Sequence, residues 1–265
     1  MSLHAWSDYA RASESAGVTV RNLRPHECVT AADILTELWG GSPMGAPLLV
    51  AMEHAGTYVA GAFRADELIG VCAGFFGPPA ARVMHSHVAG VRGASAATGV
   101  GTAMKLHQRA WCLDQGVSEM TWTFDPLVAR NAAFNVRRLG ATLDEYLVEF
   151  YGQMSDGVNA GQGSDRILVR WHLDAPIPTQ PREPGDAPLV LSVGKDHRPV
   201  VTAAPEGADA IAIVVPSDVS SLRAQDGALA TEWRHALRDA MVPRWHDGWR
   251  PTVVGREGRY VMEKR

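Results

Sequence analysis

The sequence predicts an α/β fold, and two observations near its middle carry the prediction. The strand-like run Arg82 to Val91 is followed by Gly99-Val100-Gly101, which opens a helical run that ends near Gln115. A second strand candidate, Glu119 to Phe124, then leads through a turn into another helical run. Strands that alternate with helices in this way are typical of a sheet covered by helices.

The first part of the chain predicts a strand, a helix and a loop in that order. Val18 to Leu23 alternates like a half-buried strand. Pro25 opens an amphipathic helix, because proline fits the first turn of a helix. Its apolar stripe is Cys28, Ala32, Leu35 and Trp39, and the breakers of the loop are Gly40, Gly41, Pro43, Gly45 and Pro47.

Two strands that form a hairpin are predicted next. Tyr58 to Phe63 and Leu68 to Phe76 are apolar runs joined by the polar segment Arg64-Ala65-Asp66-Glu67. Gly77-Pro78-Pro79 ends the second run, since proline cannot donate to a sheet. The hairpin therefore precedes the strand that leads to the glycine turn.

The segment after Phe124 predicts a turn, a helix and a strand. Asp125-Pro126 is the turn, and the helix runs from Ala129 to Leu139, where Gly140 closes it. Ile167 to Leu173 is the next strand candidate.

The last part of the chain differs in composition. Prolines crowd the span from Pro176 to Pro188, which predicts a linker or an extended surface crossing. Ala210 to Val215 is a strand candidate, and Thr252 to Val254 with Arg259 to Met262 predicts a closing hairpin. Between them one buried helical stripe is expected from Leu229, Trp233, Leu237 and Met241. We accordingly divide the chain into an N-terminal extension (1–17), a core (18–174), a linker (175–188) and a C-terminal extension (189–265) that packs on the core.

Composition excludes some classes of function. The chain has 265 residues, is 46% apolar and 20% charged, and carries a formal charge of -4, which disfavours a nucleic-acid partner. Neither a run of about 18 apolar residues nor a secretory leader is visible, so we expect a cytoplasmic protein without a membrane partner. Cys28, Cys72 and Cys112 are few, widely spaced and set in apolar runs, which is typical of reduced buried thiols.

The glycine turn is the first candidate for chemistry. A glycine-rich turn at a helix start aims unpaired backbone N–H groups at one point, where the helix dipole also favours negative charge. The turn therefore predicts a cradle for an anion such as pyrophosphate. Packing or capping alone can also place glycines at a helix start.

The succession of strand, glycine loop, helix, strand and helix that begins at Arg82 and ends at Gly140 resembles the Gcn5-related N-acetyltransferase (GNAT) superfamily. Three stretches are more specific: His85-Ser86-His87 with Gly90-Val91, Trp122-Thr123-Phe124-Asp125-Pro126-Leu127 with Arg130-Asn131, and Asn159-Ala160-Gly161 with Ser164-Asp165-Arg166. They resemble one branch of the superfamily, which is related to amino-acid N-succinyltransferases. The resemblance covers roughly residues 18 to 174. It implies the GNAT fold, with a mixed central sheet flanked by helices, and acyl transfer from an acyl-CoA co-substrate, acetyl-CoA or succinyl-CoA, without a metal.

The resemblance also implies the donor site. The loop before the helix would grip the CoA pyrophosphate, and a backbone N–H at or near Val91, where two parallel strands splay apart, would polarise the thioester carbonyl. The residues expected to line the CoA site are Val91, Ala96, Ala97, Thr98, Gly99, Val100, Gly101, Thr102, Asn131, Asn135 and Arg138. Asn131 and Asn135 lie four apart on one helix, beside the expected pantetheine arm, although Asn131 can also cap the helix and Arg138 can complement its dipole.

Four side chains are candidates for catalysis. His85 and His87 stand two apart on a strand and share a face, and an imidazole accepts a proton near neutral pH. Hydrogen-bonded histidines that line the sheet, or a zinc site, are the alternatives for this pair. Asp125 is an acid–base candidate or an ordinary turn residue, and Asn131 is the fourth. Asn159, Ser164, Asp165 and Arg166 either line an acceptor pocket or form a solvated loop.

The chain departs from the superfamily pattern at two points. Ala96 stands where the loop usually has Arg or Gln, which would weaken CoA binding unless Lys105 or another cation substitutes. Val136 stands where a proton-donating Tyr is frequent, and Tyr151 or water are the replacements.

Three functions follow. The first is an N-acyltransferase that acts on a small amine such as an amino acid or another carboxylate-bearing metabolite. The second is a degenerate relative that binds acyl-CoA or another ligand without transfer. The third is a pocket recruited to other chemistry. A homodimer is an assembly state that the sequence leaves open.

Overall fold

The computed structural model describes residues 3–93, 95, 98–152, 163–255 and 257–264. These residues fall into two compact units. Unit 1 holds the described residues of 1–122 and 172–175, and unit 2 holds those of 123–152, 163–171 and 176–264.

Helices and strands alternate in unit 1 as expected. Its elements are α1 (Leu3–Ala16), β1 (Thr19–Asn22), α2 (Cys28–Trp39), α3 (Ala46–His54), β2 (Tyr58–Arg64), β3 (Glu67–Phe76), β4 (Val83–Val91), α4 (Val100–Asp114) and β5 (Glu119–Phe124), whose last two residues belong to unit 2. The predicted hairpin is confirmed, since Arg64 of β2 pairs with Glu67 of β3. The predicted succession of strand, glycine turn, helix and strand is confirmed as β4, α4 and β5.

Unit 2 contains the remaining elements. They are α5 (Ala129–Ala133), a π-helical turn (Phe134–Arg138), β6 (Thr142–Leu147), β7 (Arg166–His172), β8 (Leu189–Val193), β9 (Pro199–Val201), β10 (Ala210–Val214), α6 (Val219–Gln225), α7 (Gly227–His246), β11 (Trp249–Val254) and β12 (Arg259–Lys264). The predicted helical stripe is confirmed, because Leu229, Trp233, Leu237 and Met241 are all buried on α7. The closing hairpin is also confirmed, as β11 pairs with β12.

The strands form two mixed sheets. The larger sheet has the order β1-β2-β3-β4-β5-β7-β6, and the smaller has the order β11-β12-β10-β8-β9. In the larger sheet β4 and β5 are parallel, whereas β1 to β4 are antiparallel neighbours. The mixed sheet with flanking helices is the fold class that the sequence predicts.

One local prediction needs correction. Residues 40–47 are not loop throughout, because α3 begins at Ala46 and Pro47 occupies its first turn, where a missing N–H costs nothing. The N-terminal extension carries α1, whose Asp8 accepts a hydrogen bond from Arg109 of α4 at 2.8 Å. None of the described helices is both long and apolar enough to cross a bilayer.

The core of unit 1 lies between α2, α3 and the β2–β3 hairpin. Ile34, Leu35 and Leu49 from the helices pack with Val59 and Val71 from the strands. Cys28, Cys72 and Cys112 are buried free thiols, as the sequence predicts. This core fixes β3, and β3 in turn holds β4 in register.

Candidate functional site

The start of α4 has the geometry of an anion cradle. Gly99 adopts a left-handed conformation (φ +84°) that only glycine adopts without strain, and it turns the chain into the helix. The first backbone bond of the helix runs from the Ala103 N–H to the Gly99 carbonyl at 3.1 Å. The N–H groups of Val100, Gly101 and Thr102 therefore precede the first intrahelical bond, where a helix offers free donors.

Gly101 leaves open space beside the first turn of the helix. A Cβ atom built on Gly101 meets no described atom within 4 Å, and its φ lies outside the left-handed region. A side chain at this position would therefore fill open space at the helix start without strain in the backbone. The residues present thus fit a bound phosphate group.

The loop before α4 is only partly described. The predicted phosphate-binding residues Ala96 and Ala97 lie outside the described residues, whereas Thr98 is described. The Thr98 Oγ1 donates to the Ser95 carbonyl at 2.8 Å and accepts from the Arg64 Nη2 at 3.4 Å. Arg64 also donates to the Ser95 Oγ at 2.9 Å. Arg64, at the end of β2, is therefore a cation at this loop, although no sequence motif indicates it.

Lys105 cannot replace the missing loop cation. Its side chain is buried in α4, with 5% of the residue exposed. The Nζ donates to the Ser86 Oγ at 2.7 Å and to the Gln108 Oε1 at 3.1 Å. The expectation that Lys105 reaches a phosphate is wrong, because its ammonium points into the interior.

The two candidate bases lie together on β4. The rings of His85 and His87 have centroids 6.0 Å apart, and the Phe75 ring lies 5.2 Å from the first and 5.8 Å from the second. The His85 Nδ1 is 3.5 Å from the Thr121 Oγ1. His85 is half-buried and His87 is exposed.

Both imidazoles are uncharged at neutral pH. Burial lowers the pKa of His85 to about 4, with smaller contributions from His87 and Lys105. Partial loss of hydration around its ring also lowers the pKa of His87, although much of the residue is exposed. A neutral imidazole has a lone pair with which it accepts a proton, so either residue can serve as a base.

β4 is irregular at His87. Val88 pairs with Ala73 and Ser86 pairs with Gly74, which leaves His87 as the extra residue of a bulge. The parallel pairing with β5 covers Val83–His85 only. Bulges frequently re-aim side chains at functional sites. Val91, the predicted neighbour of the oxyanion donor, pairs with Gly70 on β3.

Asp125, the third predicted catalytic residue, lies in unit 2 and is engaged by two arginines. Arg223 donates to the carboxylate at 2.5 Å and Arg234 donates to it at 2.7 Å, while the Leu127 N–H binds it at 2.9 Å. Burial alone would raise the pKa of Asp125, but the charges and hydrogen bonds of the two arginines outweigh burial and lower it. Asp125 is thus an ionised anchor, and proton transfer by it would require two buried ion pairs to break.

Asp165 has a similar environment in unit 2. It accepts hydrogen bonds from the Tyr146 hydroxyl at 2.8 Å and from the Arg238 Nη2 at 2.7 Å. Arg238 also binds Glu149 at 2.6 Å. Ser164 and Arg166, predicted with Asp165 to line an acceptor pocket, are both buried, and Asn159 lies outside the described residues. We call Asp125, Asp165, Glu149, Arg223, Arg234 and Arg238 the ion-pair cluster.

The helix after Asp125 carries the other predicted CoA contacts. Asn131 lies in α5 and is exposed, whereas Asn135 lies in the π-helical turn and is 3% exposed. The change of helix type between them gives the two amides different exposure, although they are four residues apart. Arg138 ends the π-helical turn and is exposed.

The Tyr151 side chain is described, and its hydroxyl lies 3.1 Å from the Thr123 Oγ1. The Arg166 guanidinium lies 5.3 Å from the centre of its ring. The proposed replacement for the missing proton donor is therefore half-exposed beside the end of β5.

Comparison with known proteins identifies the fold. No protein-family model matches the sequence, and a search of curated proteins finds no match. The ribosomal-protein-S18-alanine N-acetyltransferase of Escherichia coli is 12% identical over 60% of this chain and 96% of its own, with a TM-score of 0.50.

Two further solved structures agree. The protein yncA of Salmonella typhimurium, solved with its cofactor acetyl-CoA, is 15% identical over 60% of this chain and 96% of its own, with a TM-score of 0.50. The ribosomal-protein-alanine N-acetyltransferase of Brucella melitensis is 13% identical over 58% of this chain and 99% of its own, also with a TM-score of 0.50. Together with the strand order and the glycine turn before α4, these similarities show that the chain has the fold of the GNAT superfamily.

Proposed function

We propose that this protein is an acyl-CoA-dependent N-acyltransferase that acts on a small amine. The observation that carries the proposal is the start of α4, where the N–H groups of Val100, Gly101 and Thr102 precede the first intrahelical bond and a Cβ at Gly101 would meet nothing within 4 Å. This arrangement suits the pyrophosphate of a CoA thioester. Arg64 adds a cation beside the same loop.

The acyl-CoA supplies an activated acyl group as its thioester. In the reaction the amine nitrogen bonds to the acyl carbon, the carbon–sulfur bond breaks, and the amine gives up a proton. His87 and His85 are the proposed acceptors of that proton, directly or through a water molecule, because both imidazoles are uncharged. A backbone N–H near Val91 is the proposed donor to the thioester oxygen.

The proposal also covers the chemical class of the acceptor amine and of the acyl group. The sequence motifs resemble a branch related to amino-acid N-succinyltransferases, which favours an acceptor that carries a carboxylate and either acetyl or succinyl as the donor group. Asn131, Asn135 and Arg138 are proposed to contact the CoA arm. Asp125 is not retained among the proposed bases, since its carboxylate is held by Arg223 and Arg234.

One sequence observation favours a second function. Ala96 replaces the usual loop Arg or Gln, which is expected of a relative that binds a ligand without acyl transfer. A restored Ala96→Arg variant distinguishes the two. Under the acyltransferase proposal Arg64 already provides a cation, so the variant gains little CoA affinity, whereas a large gain supports the degenerate binder.

Calorimetric titration with CoA, acetyl-CoA and succinyl-CoA tests the proposal. We expect micromolar binding of at least one thioester, and the tighter thioester identifies the donor class. Absence of binding by all three would contradict the proposal.

His87→Ala tests the assignment of the base. With a thioester that binds and a panel of amino acids as acceptors, we expect turnover to fall about 100-fold while CoA affinity stays within about twofold. His85→Ala is the matched comparison on the same strand. Unchanged turnover in both variants would remove the histidines from the mechanism.

A further inference from the structure

Unit 1 contains a buried cation whose partners are all neutral. The Lys105 ammonium contacts the Ser86 hydroxyl at 2.7 Å, the Gln108 amide oxygen at 3.1 Å and the Met120 sulfur at 3.8 Å. It also lies 4.1 Å from the centre of the Trp122 ring. Among the residues that the structure describes, no carboxylate lies within ion-pair distance of this ammonium.

The polar side chains around Lys105 offer more hydrogen-bond donors than acceptors. The Gln108 side chain is fully buried, and its Nε2 finds no hydrogen-bond acceptor among the described atoms. Its Oε1 already accepts from the Ser86 hydroxyl at 3.0 Å and from Lys105. Surplus N–H groups and an uncompensated positive charge favour negative charge nearby.

The charge persists at neutral pH. Burial lowers the pKa of Lys105 to about 8, while Cys72 on β3 and Cys112 on α4 act in the opposite direction. The amine is therefore mostly protonated at pH 7. An isolated buried ammonium costs stability, which a well-packed apolar side chain of similar volume would not.

The position of Lys105 relates it to the proposed reaction. It lies in the second turn of α4, about 7.5 Å along the helix axis from Val100, where the phosphates of the donor are proposed to bind. Its closest partner, Ser86, stands between His85 and His87 on β4, and is the first residue of β4 beyond the pairing with β5. Because side chains alternate along a strand, Ser86 and this cation lie on the α4 side of β4, while His85 and His87 lie on its other face. The parallel pairing of β4 with β5 ends beside Ser86, where the thioester is proposed to lie.

We propose that Lys105 is a positioning residue whose buried positive charge, with the surplus N–H of Gln108, stabilises the negative charge that develops on the CoA sulfur. This inference rests on the proposed acyl transfer. When the carbon–sulfur bond breaks, its electron pair stays on sulfur, and the amine proton goes to a histidine. Lys105 acts through its field and neither touches the thioester nor gives up its own proton. Such a charge compensates for Val136, which stands where a proton-donating Tyr is frequent.

The thiol of bound CoA reports this field without any acceptor. We expect Lys105→Met to raise the pKa of the bound thiol by about one unit, a tenfold change in thiolate fraction, as followed by ultraviolet absorbance of the thiolate. The Kd of CoA should stay within about twofold, because the α4 amides are unchanged. Lys195→Met, which removes an exposed lysine from unit 2, is the matched control and should leave the thiol pKa unchanged.

The stability of the free protein gives a second readout. Because the Met variant removes an uncompensated buried charge, its Tm should equal or exceed that of the wild type. If Lys105 only supported the fold, Tm would fall and the thiol pKa would not move, and that result would overturn the inference.

Gln108→Glu covers the case in which the Met variant does not fold. This variant keeps Lys105 but gives its ammonium a carboxylate partner. The net charge of the two side chains at positions 105 and 108 then becomes zero. We expect the same rise in the thiol pKa, and an unchanged thiol pKa would overturn the inference. If wild-type protein binds no CoA in calorimetry, the proposed function fails and the inference fails with it. If CoA binds and neither variant moves the thiol pKa, only the inference fails.

Discussion

Buried charge is handled differently in the ion-pair cluster of unit 2 and around Lys105 in unit 1. In the ion-pair cluster of unit 2, Asp125 meets two guanidinium groups and Asp165 meets one, so each buried carboxylate has a cationic partner. In unit 1 the Lys105 ammonium meets a hydroxyl, an amide oxygen, a thioether and an indole. A compensated cluster holds a fold together, whereas an uncompensated charge costs stability and persists where chemistry needs it. We therefore assign the ion-pair cluster to structure and the α4 region to the proposed acyl transfer.

The largest expected effect tests the structural side of this comparison. Asp125→Ala leaves Arg223 and Arg234 facing each other without an anion, and Arg234 is 1% exposed. We expect the protein to lose about 3–5 kcal/mol of unfolding free energy, measured by urea denaturation. The control is Glu232→Ala, which breaks an exposed ion pair with Arg198 and should cost less than about 1 kcal/mol. Equal losses in the two variants would contradict the assignment.

The next largest expected effect is a loss of unfolding free energy in acid, which should come from unit 1. Burial lowers the pKa of His107, whose ring bonds the Tyr58 hydroxyl at 2.9 Å, to about 4. In the unfolded chain the pKa of this histidine is near 6.5. Between pH 6.5 and 4, His107 is therefore protonated in the unfolded state but neutral in the folded state. The contribution of His107 to the stability of the protein is full above pH 6.5 and falls by up to about 3 kcal/mol toward pH 4.

Unit 2 should resist the same pH change. The pKa values of Asp125 and Asp165 are lowered from the ordinary value of 3.8, so their ion pairs persist until the pH falls below it. Urea denaturation at stepped pH measures the slope, and His107→Gln, which keeps a partner for Tyr58, should reduce it to the part that His85 contributes, because burial lowers the pKa of both histidines to about 4. An unchanged slope in His107→Gln would assign the effect to other groups.

Gly101→Val sharpens the functional side of the comparison. The new side chain enters open space at the start of α4, so the fold should tolerate it while the phosphate cradle is filled. We expect CoA affinity to fall about 100-fold, equivalent to about 2.7 kcal/mol, in a calorimetric titration. Gly41→Val is the control, because a Cβ there also meets nothing within 4 Å and should leave affinity unchanged. Retained affinity in Gly101→Val would place the phosphates elsewhere.

The smallest expected effect concerns Arg64. Its guanidinium is exposed and binds the Ser95 and Thr98 hydroxyls, so Arg64→Ala removes one charge-assisted contact near the cradle. Such contacts contribute about 1.5 kcal/mol, and we expect roughly a tenfold loss of CoA affinity. Arg21→Ala, which removes an arginine paired with Glu27, is the comparison variant. Equal affinities in wild type and Arg64→Ala would show that this arginine does not contribute.

Local patterns predicted most of the elements that position α4. The alternation of β4, the glycine pair and the apolar periodicity of α7 are signals that adjacent residues carry, and the structure confirms each of them. The sequence did not predict α3, because Pro47 is typical both of a loop and of the first turn of a helix. The sequence did not predict β6, because its buried residues Leu143 and Tyr146 do not alternate regularly with polar ones. A register shift lies between them in the pairing with β7.

The candidate site was less predictable because its partners are distant in sequence. Arg234 meets Asp125 across 109 residues, and Arg238 meets Asp165 across 73. Nothing in the local pattern of α7 distinguishes these arginines from solvated ones. Arg64 likewise reaches the loop from the end of β2, and the burial of Lys105 follows from packing that no helical period reveals.

The most direct test of the account is a backbone amide NMR titration of the whole protein with CoA. We predict that the amide signals of Gly99, Val100, Gly101 and Thr102 shift together and saturate, while those of the ion-pair cluster in unit 2 stay in place. Binding that moves other amides and leaves these four unchanged would contradict the claim that the start of α4 holds the donor.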